Sequence, residues 1–138
     1  MHEFSYYARF APAYLSYMAV ALGLLIAAVT IYAQITPYRE LRLIRAGNKA
    51  AACSLSGMIL GQALALSSAV RYAASLSDLA LWGVTALFFQ LLCFFIVRLL
   101  LPDLKRGMEN DTLSYGVFLG GASVAVGLIN AACLTPSA

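Results

Sequence analysis

The residues best placed to do chemistry in this 138-residue chain are four uncharged polar side chains, Gln62, Ser67, Gln90 and Asn130, set within long apolar stretches. Amides and hydroxyls surrounded by hydrocarbon need partners, and this leaves two chemistries. They can bond one helix to another, each bond worth about 1 kcal/mol. They can instead line a narrow hydrated path in which neutral donors and acceptors replace a solute's water. No Asp, Glu, Lys or His sits at the centre of an apolar stretch, which argues against a proton relay there. The acids Glu3, Glu40, Asp78, Asp103, Glu109 and Asp111 fall in the N-terminal leader or in connections.

Catalysis finds no support in these residues. A hydrolase needs a nucleophile beside a base, and an intramembrane acid protease needs paired carboxylates; neither constellation is present. Cys53, Cys93 and Cys133 lack CxxC spacing, and His2 is the only histidine, so we expect no metal site and no cofactor. The cysteines read as small apolar packing residues. We therefore expect a protein that is not an enzyme.

The elements that hold these side chains follow from composition. The chain is 62% hydrophobic and 11% charged, against roughly 45–50% and about 25% in soluble domains. Apolar runs at Ala13–Ile35, Ala50–Val70, Leu79–Leu101 and Leu113–Leu134 each reach the ~20 residues needed to cross ~30 Å of hydrocarbon. The expected fold is an all-α integral membrane protein with four transmembrane helices, its first partner being the bilayer. The aromatic leader, residues 1–12, suits the headgroup layer, and Pro12 is expected to mark the start of the first crossing. It lacks the basic n-region of a signal peptide, so that span is expected to be retained.

A hairpin around Pro37 reappears around Pro102, giving two parallel-oriented helical-hairpin repeats, residues 13–72 and 79–138, related by an axis along the membrane normal. After the tips, a two-residue slip places Asn48 on Asp111, Gly57 on Gly120 and Ser67 on Asn130. Asn48 and Asp111 are expected to cap the second and fourth spans, Asp78 to cap the third, and Ser67 to face Asn130 across the axis. Gly57 and Gly61 form a GxxxG stripe extended by Cys53 and Ala65; Gly116 and Gly120 form another, continued by Ser123 and Gly127. We expect these stripes to join spans two and four; a contact between protomers of a homo-oligomer is the alternative.

Arg39, Arg42, Arg45, Lys49, Arg98, Lys105 and Arg106 flank the hairpin tips, whereas Arg9 and Arg71 lie at the other side. This excess places the tips in the cytoplasm and the termini outside. Arg39, Arg42 and Arg45, at three-residue spacing, suit a membrane surface or a protein partner, with a solvated loop as the plain alternative. The net charge of +3 is accounted for by this asymmetry and implies no nucleic-acid partner.

Ile35-Thr36-Pro37, the stretch from Leu55-Ser56-Gly57 to Leu66-Ser67-Ser68-Ala69, and Asn130-Ala131-Ala132-Cys133 carry a family likeness. On these residues the chain resembles the YjfL-like inner-membrane proteins, domain of unknown function 350. The resemblance implies a small multi-pass protein of the bacterial inner membrane, typically built from two tandem copies, with no catalytic residues to carry over. Relatives are often encoded near envelope-stress and polyamine-related proteins, which implies a setting in the cell envelope. The expected role is a non-enzymatic oligomeric scaffold or partner-recruiting component; the alternative is a channel or transporter for a small solute or ion.

Overall fold

The computed structural model describes residues 1–134, and within them every regular element is a helix. In chain order these are α1 (His2–Ile35), α2 (Glu40–Arg45), α3 (Lys49–Tyr72), α4 (Leu76–Leu100), α5 (Leu104–Glu109) and α6 (Leu113–Cys133). The order long, short, long occurs twice in the same sense. Helices α1, α3, α4 and α6 are long and apolar enough to cross a membrane. Residues 135–138, the end of the second expected hairpin, lie outside the described residues.

Helix α3 is the centre of the molecule, and its broadest contact is with α6. The two run parallel and touch through backbone. A Cβ placed on Gly116 would strike the backbone of Ala50, one on Gly57 that of Gly120, and one on Gly127 that of Gly61. Glycine is needed at these positions because only a residue without a side chain lets two helices come this close. Gly61 and Gly120 sit in the same seam, against the carbonyls of Ser123 and Cys53. All five glycines of the two stripes thus lie at one contact inside the chain.

Helices α1 and α4 pack outside this pair and also run parallel to each other. Leu24 of α1 lies against Gly83 of α4, and Tyr32 meets Phe94 edge-on with ring centroids 5.9 Å apart. Only Ala28 and Tyr32 of α1 are buried. Leu22, Ile26, Phe88, Phe95, Leu99, Phe118 and Ile129 are exposed on the outer faces of the long helices, as lipid-facing side chains should be.

Several local expectations change. Helix α1 runs unbroken through Pro12, so the leader is not a separate segment: residues 2–12 are its first turns. At 34 residues the helix is about 51 Å long, well beyond the hydrocarbon thickness. Tyr6 and Phe10 stack one turn apart along it, with centroids at 4.8 Å. The connection before α4 is short, and Ser75 rather than Asp78 is the N-cap: its Oγ accepts from the Asp78 N–H at 3.2 Å. Asp78 reaches back to accept from the Ala74 N–H at 3.1 Å, in the manner of a capping box. Cys93 alone of the cysteines is a core residue; Cys53 and Cys133 are exposed.

The seam makes a sharp prediction. Gly120→Ala should lower the unfolding free energy by about 1–3 kcal/mol, as overpacking does. Its neighbour Gly121, whose added Cβ meets nothing within 4 Å, should tolerate alanine to within about 0.5 kcal/mol. Detergent-titrated unfolding in mixed micelles measures both.

Candidate functional site

The two tips end alike. Gly47 (φ 89°) and Asp111 (φ 56°) are the left-handed residues that close α2 and α5. In each case the next two N–H groups bond back in a Schellman pattern: Gly47 to Ile44 and Asn48 to Leu43, Asp111 to Met108 and Thr112 to Gly107. Asp111 is therefore the counterpart of Gly47, not of Asn48. Asn48 caps α3 as expected, accepting from the Ala51 N–H at 2.8 Å. Asp111 does not cap α6, whose N-cap residue is Thr112 and makes no side-chain cap bond. It crosses to the other tip and accepts from the Ala50 N–H of α3 at 2.9 Å. Asn48 returns the contact, donating to the Met108 carbonyl at 2.6 Å. Each tip thus supplies a bond to the other.

Around this lock lies a tip cavity of about 390 Å³ bounded by Tyr38, Arg39, Arg42, Lys105 and Glu109. Beside it, a cleft of about 450 Å³ runs between α1 and α2, with Arg39, Glu40, Arg42, Arg45 and Leu55 in its walls. Arg39, Arg42 and Arg45 are exposed. Their three-residue spacing leaves Glu40, Leu43 and Ile44 on the opposite side of α2, against the bundle.

Glu40 is consequently buried, at 1% exposure, although it belongs to a connection. Among the described residues, neither of its carboxylate oxygens has a hydrogen-bond partner. Burial pushes its carboxyl from an ordinary value near 4.5 up to about 7. Thr36 eases this only in part, because its single hydroxyl proton is committed to the carbonyls of Ala33, at 3.1 Å, and Tyr38, at 3.4 Å. Tyr32 and Tyr38 interact electrostatically with Glu40, and burial raises the Tyr38 phenol above its usual range. The Tyr38 hydroxyl lies beside Ser54 and that of Tyr32 beside Ser123, in both cases outside good hydrogen-bond geometry.

A row of buried polar groups therefore descends from the tips toward the middle of the bundle: Glu40, Tyr38 and Ser54, then Tyr32, Ser123 and Gln90. Gln90 donates to the Ser123 carbonyl at 3.0 Å and Gln62 to the Gly83 carbonyl at 3.2 Å, while the side-chain oxygen of each amide lacks a partner among the described residues. Both are interhelical bonds of the kind expected for amides in hydrocarbon. Ser67 and Asn130 do not join this row. Ser67 is exposed on the groove between α1 and α3, and Asn130 is half-buried. The bond between those ends of α3 and α6 comes from Ser68, which donates to the Ala131 carbonyl at 2.8 Å. The correction is a one-residue rotation of α3, which turns Ser67 outward and Ser68 into the seam.

Glu40, Tyr32, Tyr38 and Ser54 were not singled out from the sequence. The signal was present in α2, where a 3.6-residue period groups Glu40 with Leu43 and Ile44 on the apolar side.

Four apolar spanning helices with exposed hydrocarbon-facing flanks define the class: a multi-pass α-helical membrane protein. The chain belongs to the family described as Domain of Unknown Function (DUF350), which it matches over residues 5–134. It is 41% identical over 123 residues to the UPF0719 inner membrane protein YjfL of Escherichia coli (strain K12), covering 89% of this chain and 93% of that protein. It is 30% identical over 119 residues to the UPF0719 transmembrane protein YshE of Bacillus subtilis (strain 168), covering 85% and 89%. No solved structure matches.

Asp111 offers the test of the tip lock. Asp111→Ala removes the acceptor for Ala50 and puts a β-carbon residue at positive φ without a compensating bond, and should cost about 2 kcal/mol of unfolding free energy. Asp111→Asn keeps a carbonyl acceptor and tolerates the left-handed region, so it should stay within about 0.5 kcal/mol of the parent.

Proposed function

We propose that the protein is a non-enzymatic component of the inner membrane that works by assembly, as an oligomeric scaffold or a recruiter of a protein partner at its hairpin tips. The observation that carries this reading is the reciprocal lock of Asn48 and Asp111, which joins both tips into one basic surface bearing Arg39, Arg42 and Lys105. A preorganised surface with three cations against the single acid Glu109 favours an acidic partner, because little order must be imposed when it binds. The excess of Lys and Arg at the tips supports a cytoplasmic position for this surface, with the termini outside.

The placement of the glycine stripes changes how assembly would work. Gly57, Gly61, Gly116, Gly120 and Gly127 are occupied within the chain, so contacts between copies would use the exposed apolar flanks of α1, α4 and α6. A photo-crosslinking residue at Arg42, in cells, should give a discrete adduct. With that residue in place, combined Arg39→Glu and Lys105→Glu should remove the adduct while leaving membrane insertion intact. An adduct unchanged by charge reversal would contradict the reading.

A second reading, passage of a small solute or ion, is favoured by the buried amides Gln62 and Gln90, whose side-chain oxygens lack partners among the described residues. In liposomes it predicts a flux that Gln62→Leu reduces, with Asn130→Leu as a companion variant on α6. Tight liposomes across a panel of ions and solutes would exclude it.

A further inference from the structure

Glu40 is the only buried acid among the described residues, and it sits on a helix of six residues bounded by the turn at Pro37 and by Gly47 at positive φ. Helix α2 is therefore a short element between two turns, held by Leu43 and Ile44 on one side of the acid and bordered by the 450 Å³ cleft on the other. Among the described residues neither carboxylate oxygen has a hydrogen-bond partner to replace the water it gives up, and Thr36 offsets that loss only in part. The same side chain in its protonated form carries no charge and has a proton to offer. The two protonation states thus demand different surroundings, and α2 is the element able to supply both.

We propose that Glu40 is a proton-binding site that latches α2 to the bundle: the helix stays docked while the carboxyl holds its proton, and loosens into the cleft when that proton leaves to water. The site lies on the buried side of α2, whose exposed side carries Arg42 and Arg45. The groups facing it are few. Tyr32 and Thr36 come from α1 and its end, Tyr38 and Arg39 from the turn, and Arg42 and Arg45 from α2 itself. Helix α3 contributes Ser54 and Leu55, and its Lys49 and Cys53 are exposed. Cys93 of α4 and Ser123 of α6 stand behind Tyr32, and Lys105 and Glu109 of α5 lie across the tip cavity.

The direction with pH follows from the raised carboxyl. A carboxyl whose docked value is about 7 against an ordinary 4.5 favours the docked state fully below pH 4.5, and that preference is lost as pH rises to about 7. For an acid ionising near pH 7, the charged fraction grows about tenfold between pH 6 and pH 8.

The test uses the full chain in lipid nanodiscs, with Cys53, Cys93 and Cys133 replaced by alanine and Leu43→Cys placed under α2. Labelling by a soluble maleimide is followed from pH 6 to pH 8, with and without Glu40→Gln. The glutamine variant corrects for the thiol's own pH dependence. The Glu40 protein should show an additional rise approaching about tenfold; equal pH profiles in the two proteins would overturn the proposal. Infrared titration of the unsubstituted protein gives a readout independent of any variant. A protonated-carboxyl band that disappears near neutral pH is expected, and its absence, or loss only in the ordinary carboxylate range, would overturn the proposal as well.

Discussion

Backbone contact between α3 and α6 is the constraint on which the rest of the molecule depends. In hydrocarbon, apolar surface gains little by moving from lipid to protein, so helices associate through van der Waals contact and a few hydrogen bonds. Glycine maximises the first term and gives up no side-chain freedom in doing so. The contacts of Ala50 with Gly116, Gly57 with Gly120 and Gly61 with Gly127 run along the tip-ward half of α3 and the facing stretch of α6. A seam this close has few alternative registers, because a shift by one residue would bring a Cβ against a backbone.

That register fixes what happens at both ends. Near the tips it brings Asp111 to the first turn of α3 and Asn48 to the end of α5, so the start of α3 and the end of α5 are each completed by the other hairpin. Toward the termini it sets Ser68 against the Ala131 carbonyl. In the middle it leaves the Ser123 carbonyl facing α4, where Gln90 donates to it. The donors of Ser68 in α3 and Gln90 in α4 thus end on α6 carbonyls that the seam leaves open on its flank. Helix α1, with little of its surface buried, contributes least to this framework.

Much of this was legible in the sequence, and what was missed has specific causes. Four spans follow from apolar length, and the small-residue stripes mark the positions that now fill the seam. Pro12 was read as a boundary because proline breaks interior hydrogen bonding, yet an extended helix tolerates it with the freed carbonyl near solvent. Asp111 was assigned to its own helix because capping is usually local; the left-handed turn it adopts instead points its carboxylate across the molecule. Ser67 and Asn130 were paired by an offset taken from Gly57 and Gly120, but one residue of helix is a rotation of about 100°. Glu40 reads as a loop acid in the sequence, because membership of a connection ordinarily means exposure.

The first tip therefore differs from the second in a way that folding does not require. By the offset that brings Pro37 onto Pro102, Tyr32, Tyr38 and Glu40 correspond to Val97, Asp103 and Lys105. In the second hairpin the buried side chains at this level are Val97, Leu104 and Met108, and Asp103 and Lys105 are exposed. An apolar filling is thus sufficient to seat a short helix against this bundle. Burying an acid and two phenols costs more than burying methionine and leucine, because each brings polar atoms that lose water. Since the second tip achieves the same docking without that cost, the polarity of the first is to be explained by something other than packing. It is concentrated where α1 and α2, the elements least bound by the glycine seam, meet the rigid pair.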